Sequence, residues 1–401
     1  MVNNDINWFR QARFGMFVHW GIYAVPGVHE QYWQRWNLQR EAYIKYADQF
    51  NPVKFDPVEW LDMAQDAGME YMCFTTKHHD GFCMWDTRQT DFNIMNTPYN
   101  RDIVGMLADE CHKRNFPLML YYSVVDWHQQ AYPNIGRHHE IVTDPAGHDM
   151  PEYVEFLKAQ IRELCTNYGI IHGIWWDMNV PEYKDTSVHR LIRELQPQAV
   201  INNRGFDTGD FSTPERDWNP EGADTGNGTE FNLVEACQSV GVNSWGYKQD
   251  EDYFSSRYLM ECIDSWLARG ANYLLNVGPD ASGVIPAPAS EILKNIGGWM
   301  RKVRPAFNGT PEALVLENDE LYAVRNGQTL YVHCVKALSS STLSLDPLKD
   351  SPRKVTLMNT GEQLPWTFEP VVYKRGDKPV LRIKNIPVDK LTGPAVLKID
   401  L

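Results

Sequence analysis

Apolar and polar positions along this chain alternate in blocks. Apolar runs occupy residues 14–21 (FGMFVHWG), 70–82, 116–127, 170–179, 199–205, 239–247 and 271–279. Stretches with helical spacing precede several of them: PVEWLDMAQDAG, DIVGMLADECHKRN, EYVEFLKAQIRELCTNYG and SRYLMECIDSWLARG. The last ends on Gly270, as a helix C-terminus prefers. Alternation of this kind predicts parallel strands covered by helices. Seven candidate strands in the first 280 residues or so predict a (β/α)8-like TIM barrel. A doubly wound sheet competes, but no GxGxxG follows the first strand.

Polar residues gather at the C-terminal ends of the candidate strands: His19, His78 with His79, Asp126, Asp177, Arg204 and Asn276. Barrel enzymes place their chemistry at that end. Beyond about residue 306 the pattern changes to short β-prone runs separated by turn residues, as in ALVLENDELYAVRNGQTLYVHCVKA. The reading is a catalytic barrel over residues 1–307 and a C-terminal β-sandwich over 308–401.

Composition narrows the function. Fourteen Trp and nineteen Tyr supply flat aromatic faces of the kind that sugar C–H faces stack on. A net charge of −14 argues against nucleic acid and against anionic membranes as partners. Seven cysteines, with no CxxC, fit reduced thiols. No basic-then-apolar leader opens the sequence and no run approaches a membrane span, so the expected location is cytoplasmic.

The segment GIWWDMNV, residues 173–180, runs two tryptophans into Asp177. Burial there raises a carboxyl pKa, and a neighbouring cation such as Arg204 lowers it. A nucleophilic carboxylate needs the second effect to win. A retaining glycosidase also needs a second carboxyl about 5–5.5 Å away. The candidates are Glu215 in GDFSTPERDW, Glu235 in FNLVEACQSV and Glu30 in VHEQYWQRW, each read as lying on or near a loop. His78 and His79 are adjacent, so on a regular strand they face opposite sides and cannot share an ion. No HExxH accompanies them. Imidazoles bonded to substrate hydroxyls are the better reading. No GxSxG and no P-loop is present.

These segments, taken in order, resemble the α-L-fucosidases of glycoside hydrolase family 29. WFRQARFGMFVHWGIYAVPG is similar to the family's opening strand, KHHDGFCMWDT to its second-strand motif, YYSVVDWH to its third and IWWDM to its fourth. SWGYKQDEDY and GANYLLNVGPDASGVIP resemble its late motifs. The resemblance implies Asp177 as nucleophile. It implies His19, Glu30, His78 and His79 as ligands of the fucose hydroxyls, with Tyr122, or Tyr121 in the alternative register, lining the same pocket. Trp175 would stack near the sugar, Arg204 would sit beside the nucleophile, and Trp245 would frame the pocket. Glu215 is the first choice for acid/base and Glu235 the second. The expected reaction is double displacement on a terminal α-L-fucosyl residue of a glycan or glycoside, with no metal and no organic cofactor. One departure concerns the Glu-Trp-Tyr common in the family, which here reads Glu30-Gln31-Tyr32. Trp33 is the residue placed to compensate. Two other readings stay open: a sugar-binding barrel without catalysis, and a glycosidase of the same scaffold for another galacto-configured or deoxy sugar.

Overall fold

A computed structural model describes residues 6–178, 183–216, 233–312, 321–346, 348, 350–370 and 379–401. Their contacts define two compact units. One comprises Met1–Tyr253 with Leu274–Glu291, the other Phe254–Tyr273 with Ile292–Leu401.

The first sheet has eight strands: β1 (Phe14–Val18), β2 (Tyr71–Lys77), β3 (Leu118–Ser123), β4 (Gly173–Asp177), β5 (Val200–Ile201), β6 (Phe211–Ser212), β7 (Leu233–Ser239) and β8 (Asn272–Val277). They pair in the order β5-β4-β3-β2-β1-β8-β7-β6. A single parallel bridge between Asn202 and Phe211 joins the two ends, so the sheet closes as the TIM-barrel reading requires. Helices Pro57–Asp66, Ile103–Lys113, Met150–Thr166 and Thr186–Leu195 lie between strands. Each starts on an Asp (56, 102, 149 or 185) whose side chain accepts a backbone N–H of the first turn.

Period-two alternation decides what fills the barrel. Phe17, Tyr71, Cys73, Met119, Tyr121, Trp175, Val200, Phe211, Cys237 and Leu274 form one buried cluster. Asp177 is two residues beyond Trp175 and inherits its inward face. Gly15 is forced by this packing, because a Cβ there would meet the Tyr71 ring at 2.5 Å. Tyr71 thereby spans the interior and places its hydroxyl on Glu235.

The structure corrects two strand assignments. The run 239–247 is not a strand, since β7 ends at Ser239. The backbone N–H groups of Asn243 and Ser244 go to the Glu251 carboxylate rather than to a neighbouring strand. The strand β6, only two residues long, carries too short a pattern to be seen in the sequence.

The second unit contains helix Ser256–Ala268 and two antiparallel sheets. The strands are β9 (Thr310–Glu312), β10 (Leu321–Asn326), β11 (Thr329–Cys334), β12 (Leu343–Leu345), β13 (Lys354–Leu357), β14 (Trp366–Glu369), β15 (Val380–Ile383) and β16 (Ala395–Asp400). They form sheets β13-β16-β11-β10-β9 and β12-β15-β14. The inward faces of both sheets meet in one aliphatic core that includes Leu330, Val332, Leu345, Leu381, Ile383 and Leu397. The C-terminal sheets are therefore a β-sandwich. The same unit buries a hydrogen bond between His333 Nδ1 and Asp264 Oδ1 of the helix, at 2.7 Å.

Candidate active site

A cavity of about 310 Å³ opens at the C-terminal end of the barrel strands. Asp177, the last residue of β4, lies at its wall. Its Oδ2 accepts the Tyr121 hydroxyl at 2.7 Å. Its Oδ1 accepts Arg204 Nη1 at 3.0 Å and the Met178 backbone N–H at 3.0 Å. Burial pushes this carboxyl up, but Arg204, His79 and the Tyr121 hydroxyl outweigh it and hold the group below the usual carboxylate range. Asp177 is therefore ionised at neutral pH.

Arg204 also donates through the same Nη1 to Glu215, and through Nη2 to the Thr213 carbonyl at 2.6 Å. One nitrogen bonded to both carboxylates limits their bound oxygens to two hydrogen-bond lengths, about 6 Å at most. Glu215 reaches this position because the β6–β7 pairing continues past Ser212. Cys237 N–H donates to the Pro214 carbonyl, and Arg216 N–H donates to Cys237.

The histidine tautomers follow from their partners. The Asn276 amide gives Nδ2 to the Trp245 carbonyl at 2.7 Å, which leaves its Oδ1 to accept His19 Nδ1–H at 2.7 Å. Ser123 spends its proton on the Val125 carbonyl, so its oxygen accepts His79 Nδ1–H at 2.6 Å. Burial lowers both imidazoles, His79 to about 4. Each is neutral and presents an acceptor Nε2. His79 Nε2 is 3.8 Å from Asp177 Oδ2, beyond hydrogen-bond reach. His78 is buried, with Nδ1 unpartnered, and its ring stacks on Tyr121. Both His78 and His79 enter the cavity because β2 ends at Lys77, so strand alternation no longer applies to them.

Glu30 receives Ser244 Oγ–H at 2.5 Å, Trp245 N–H at 3.0 Å and Gly246 N–H at 3.3 Å, all on Oε2. Its Oε1 makes none of these bonds. Burial raises this carboxyl, yet His29 and the Ser244 bond bring it below the ordinary value. Trp175 lines the wall, stacked on Tyr121, with the Arg204 guanidinium 5.0 Å over its ring. Trp245 lines the cavity beside His19.

The cavity thus brings together Asp177, Glu215, His19, Glu30, His78, His79, Trp175 and Trp245, with Arg204 bonded to the two carboxylates. Three other assignments are corrected. Tyr122 does not line it. Alternation turns Tyr122 outward, where its hydroxyl meets Gln160 at 2.5 Å and its ring lies 4.3 Å from the Lys77 ammonium. Tyr121 is the inward neighbour. Glu235 is on β7, fully buried, not on a loop. Its Oε2 accepts Tyr71 and its Oε1 accepts Trp175 Nε1, both at 3.1 Å, so it has no access to substrate. Trp33 does not stand in for a tryptophan at position 31. It is buried against Tyr43 at 4.7 Å, and Gln31 itself lines the cavity. Asp126, another strand-end acid, is bound to Lys77 at 2.6 Å, both buried. Among the described residues no cluster of three or more His, Cys, Asp or Glu is arranged to hold a metal.

Residues missed in the sequence also line the cavity: the loop residues His29, His139, Met178, Arg216 and Asn243, and Arg35 at the end of the short helix Tyr32–Arg35. His139, Met178 and Arg216 take left-handed backbone, φ 65°, 57° and 53°. Such conformations cost roughly 1 kcal/mol or more for an L side chain and cluster at functional sites. No periodic signal marks them, since their positions come from turns rather than strands.

A family model for α-L-fucosidase matches residues 2–304. Tissue α-L-fucosidase of Rattus norvegicus is 27% identical over 91% of this chain and 84% of its own length. The human tissue enzyme is 26% identical over 90% and 83%. α-L-Fucosidase isoenzyme 1 from Paenibacillus thiaminolyticus superposes with a TM-score of 0.87 at 31% identity, covering 100% of this chain and 99% of that one. A Bacteroides thetaiotaomicron family 29 α-L-fucosidase, solved as a trapped covalent intermediate with 2-fluoro-fucosyl fluoride, superposes at 0.79 with 26% identity, covering 98% and 95%. The barrel, the carboxylate pair and these likenesses agree: the chain belongs to the α-L-fucosidases of glycoside hydrolase family 29.

Proposed function

We propose that this enzyme is a retaining exo-α-L-fucosidase that works by double displacement, with Asp177 as nucleophile and Glu215 as acid/base. The observation that carries the reading is Arg204 Nη1, bonded to both carboxylates. Their closeness suits the spacing of a retaining pair, about 5–5.5 Å, rather than the wider gap that an inverting enzyme leaves for water. The trapped intermediate of the Bacteroides relative supports the same route.

A terminal fucosyl group enters with its hydroxyls toward His19, His78, His79 and Glu30. The neutral Nε2 atoms of His19 and His79 accept hydroxyl protons, which fixes the ring without adding positive charge near the anomeric centre. The C5 methyl packs on the aromatic wall of Phe17, Trp175 and Trp245. Asp177 then attacks the anomeric carbon while Glu215 protonates the departing oxygen. The oxocarbenium-like transition state gains from the Asp177 charge, which Tyr121 and Arg204 hold in place. In the second half, Glu215 takes a proton from water, and that water breaks the ester to Asp177 with net retention.

The test is labelling with 2-deoxy-2-fluoro-α-L-fucosyl fluoride followed by peptide mass analysis. The expected adduct sits on Asp177. Stoichiometric labelling of any other carboxylate overturns the assignment.

A further inference from the structure

Two arginines at the cavity wall have no task in the reaction of a neutral sugar. Arg35 is exposed, and its Nε donates to Gln31 Oε1 at 2.9 Å, while its terminal nitrogens meet no side-chain acceptor among the described residues. Arg216 lies 4.7 Å over the Trp245 ring and gives Nη1 to the Val242 carbonyl at 2.9 Å. Among the described residues neither guanidinium meets a carboxylate.

Among the described residues, the acids that line or flank the cavity are already engaged. Glu251 accepts Asn243 N–H, Asn243 Nδ2 and Ser244 N–H. Glu140 is held by Arg137 and the Tyr132 hydroxyl. Glu30 is satisfied by the 244–246 backbone and Ser244, and Asp177 and Glu215 share Arg204. In a chain of net charge −14, two guanidinium groups that line one cavity and meet no carboxylate among the described residues form a local positive site.

Sequence order says which side of the scissile bond they serve. Arg216 directly follows Glu215, the group that protonates the leaving oxygen. The planar N–H fork of arginine matches the oxygens of a carboxylate or sulfate. Trp36, 51% exposed next to Arg35, adds a flat face with its ring 6.4 Å from that of His29.

We infer that Arg35 and Arg216 form a leaving-group subsite for an aglycone bearing an anionic substituent, a carboxylate or a sulfate ester. This rests on the fucosidase reading above and names the substrate class that the reading leaves open.

The experiment compares nitrophenyl α-L-fucosides whose rings carry a hydroxymethyl, carboxymethyl or sulfatomethyl group, the methylene keeping leaving-group acidity matched. At low salt kcat/KM for the charged substrates should exceed that for the neutral one by about tenfold, the worth of one charge-assisted contact. The faster of the two charged arms identifies the group preferred. The ratio should shrink with added salt in the wild-type enzyme, because Arg35 is exposed and Arg216 only half-buried. It should approach one in Arg35→Gln/Arg216→Gln. Equal rates for all three substrates, or a ratio that survives in the double variant, overturn the subsite. Failure to cleave even the neutral fucoside overturns the fucosidase reading and the subsite with it.

Discussion

Two buried carboxylates inside the same barrel have opposite fates. Asp177 and Glu235 are 9% and 0% exposed, and both reach toward the ring of inward aromatics. Asp177 ends its strand and meets a cation, a tyrosine hydroxyl and a backbone N–H. Glu235 sits two residues into β7 and meets only two neutral donors. Burial therefore wins at Glu235 and pushes its carboxyl up to about 8, the Tyr71 and Trp175 bonds opposing it only in part. At neutral pH Asp177 is charged, as the proposed nucleophile must be, and Glu235 is an uncharged strut. Burial alone does not set the role of an acid. A guanidinium within bonding distance does.

The largest effect expected from breaking this contrast is on turnover. Asp177→Asn removes the charge but keeps the shape, and kcat should fall by about three orders of magnitude or more with the thermal midpoint near that of the wild type. Near-normal turnover in steady-state assays would refute the nucleophile. Next, Glu215→Ala should lower kcat/KM by roughly 10²–10⁴ for poor leaving groups and less for activated aryl fucosides. Azide should rescue it and give the α-L-fucosyl azide, because azide attacks the β-linked fucosyl-enzyme from the face that the aglycone left, and NMR identifies the anomer. Rescue of Glu235→Ala but not Glu215→Ala would reverse the assignment.

Smaller effects sharpen the other half of the comparison. Glu235→Ala orphans the Trp175 N–H and the Tyr71 hydroxyl and should cost about 1–3 kcal/mol in denaturant unfolding. Glu235→Gln resembles the protonated acid and should cost much less. Equal losses in the two variants would show that Glu235 is needed as a charge.

The finest test is the pH slope of stability. The folded state keeps the Glu235 proton where the unfolded chain has released it, so this group lowers stability as pH rises from the ordinary carboxylate value to about 8. Asp177 acts with the opposite sign. Its depressed value adds stability above the ordinary range, and that gain is lost as pH falls through the folded value. Glu235→Gln should flatten the decline between about pH 5 and 8. An unchanged slope in chemical unfolding would place the proton elsewhere.

What could be read in the chain follows from how each feature is encoded. The strands β1–β4 and β8 carry enough alternation to be located, and the polar residues at or just past their ends point to His19, His78, His79 and Asp177, whereas the seven-residue β7 reads as 239–247 because Glu235 and Gln238 interrupt its apolar pattern. The two-residue β6 carries no such pattern. The choice between Tyr121 and Tyr122 needs the phase of one strand, and a shift of one residue reverses the face. The pairing of Tyr121 with Trp175 across β3 and β4 settles it. Glu235 reads as a loop acid in the sequence because a carboxyl in a strand interior is rare, and only the tertiary structure supplies the two donors that make it tolerable.

The sequence by itself determined the alternation of strands and helices through the first four strands, the β-rich C-terminal region and the acid at the end of the fourth strand, since all three depend on local spacing along the chain. Only the tertiary structure decided which acid stays charged, which tautomer each histidine adopts and where Arg35 and Arg216 stand. Those properties belong to groups separated by tens to hundreds of residues, and charge and hydrogen bonding act through space rather than along the backbone.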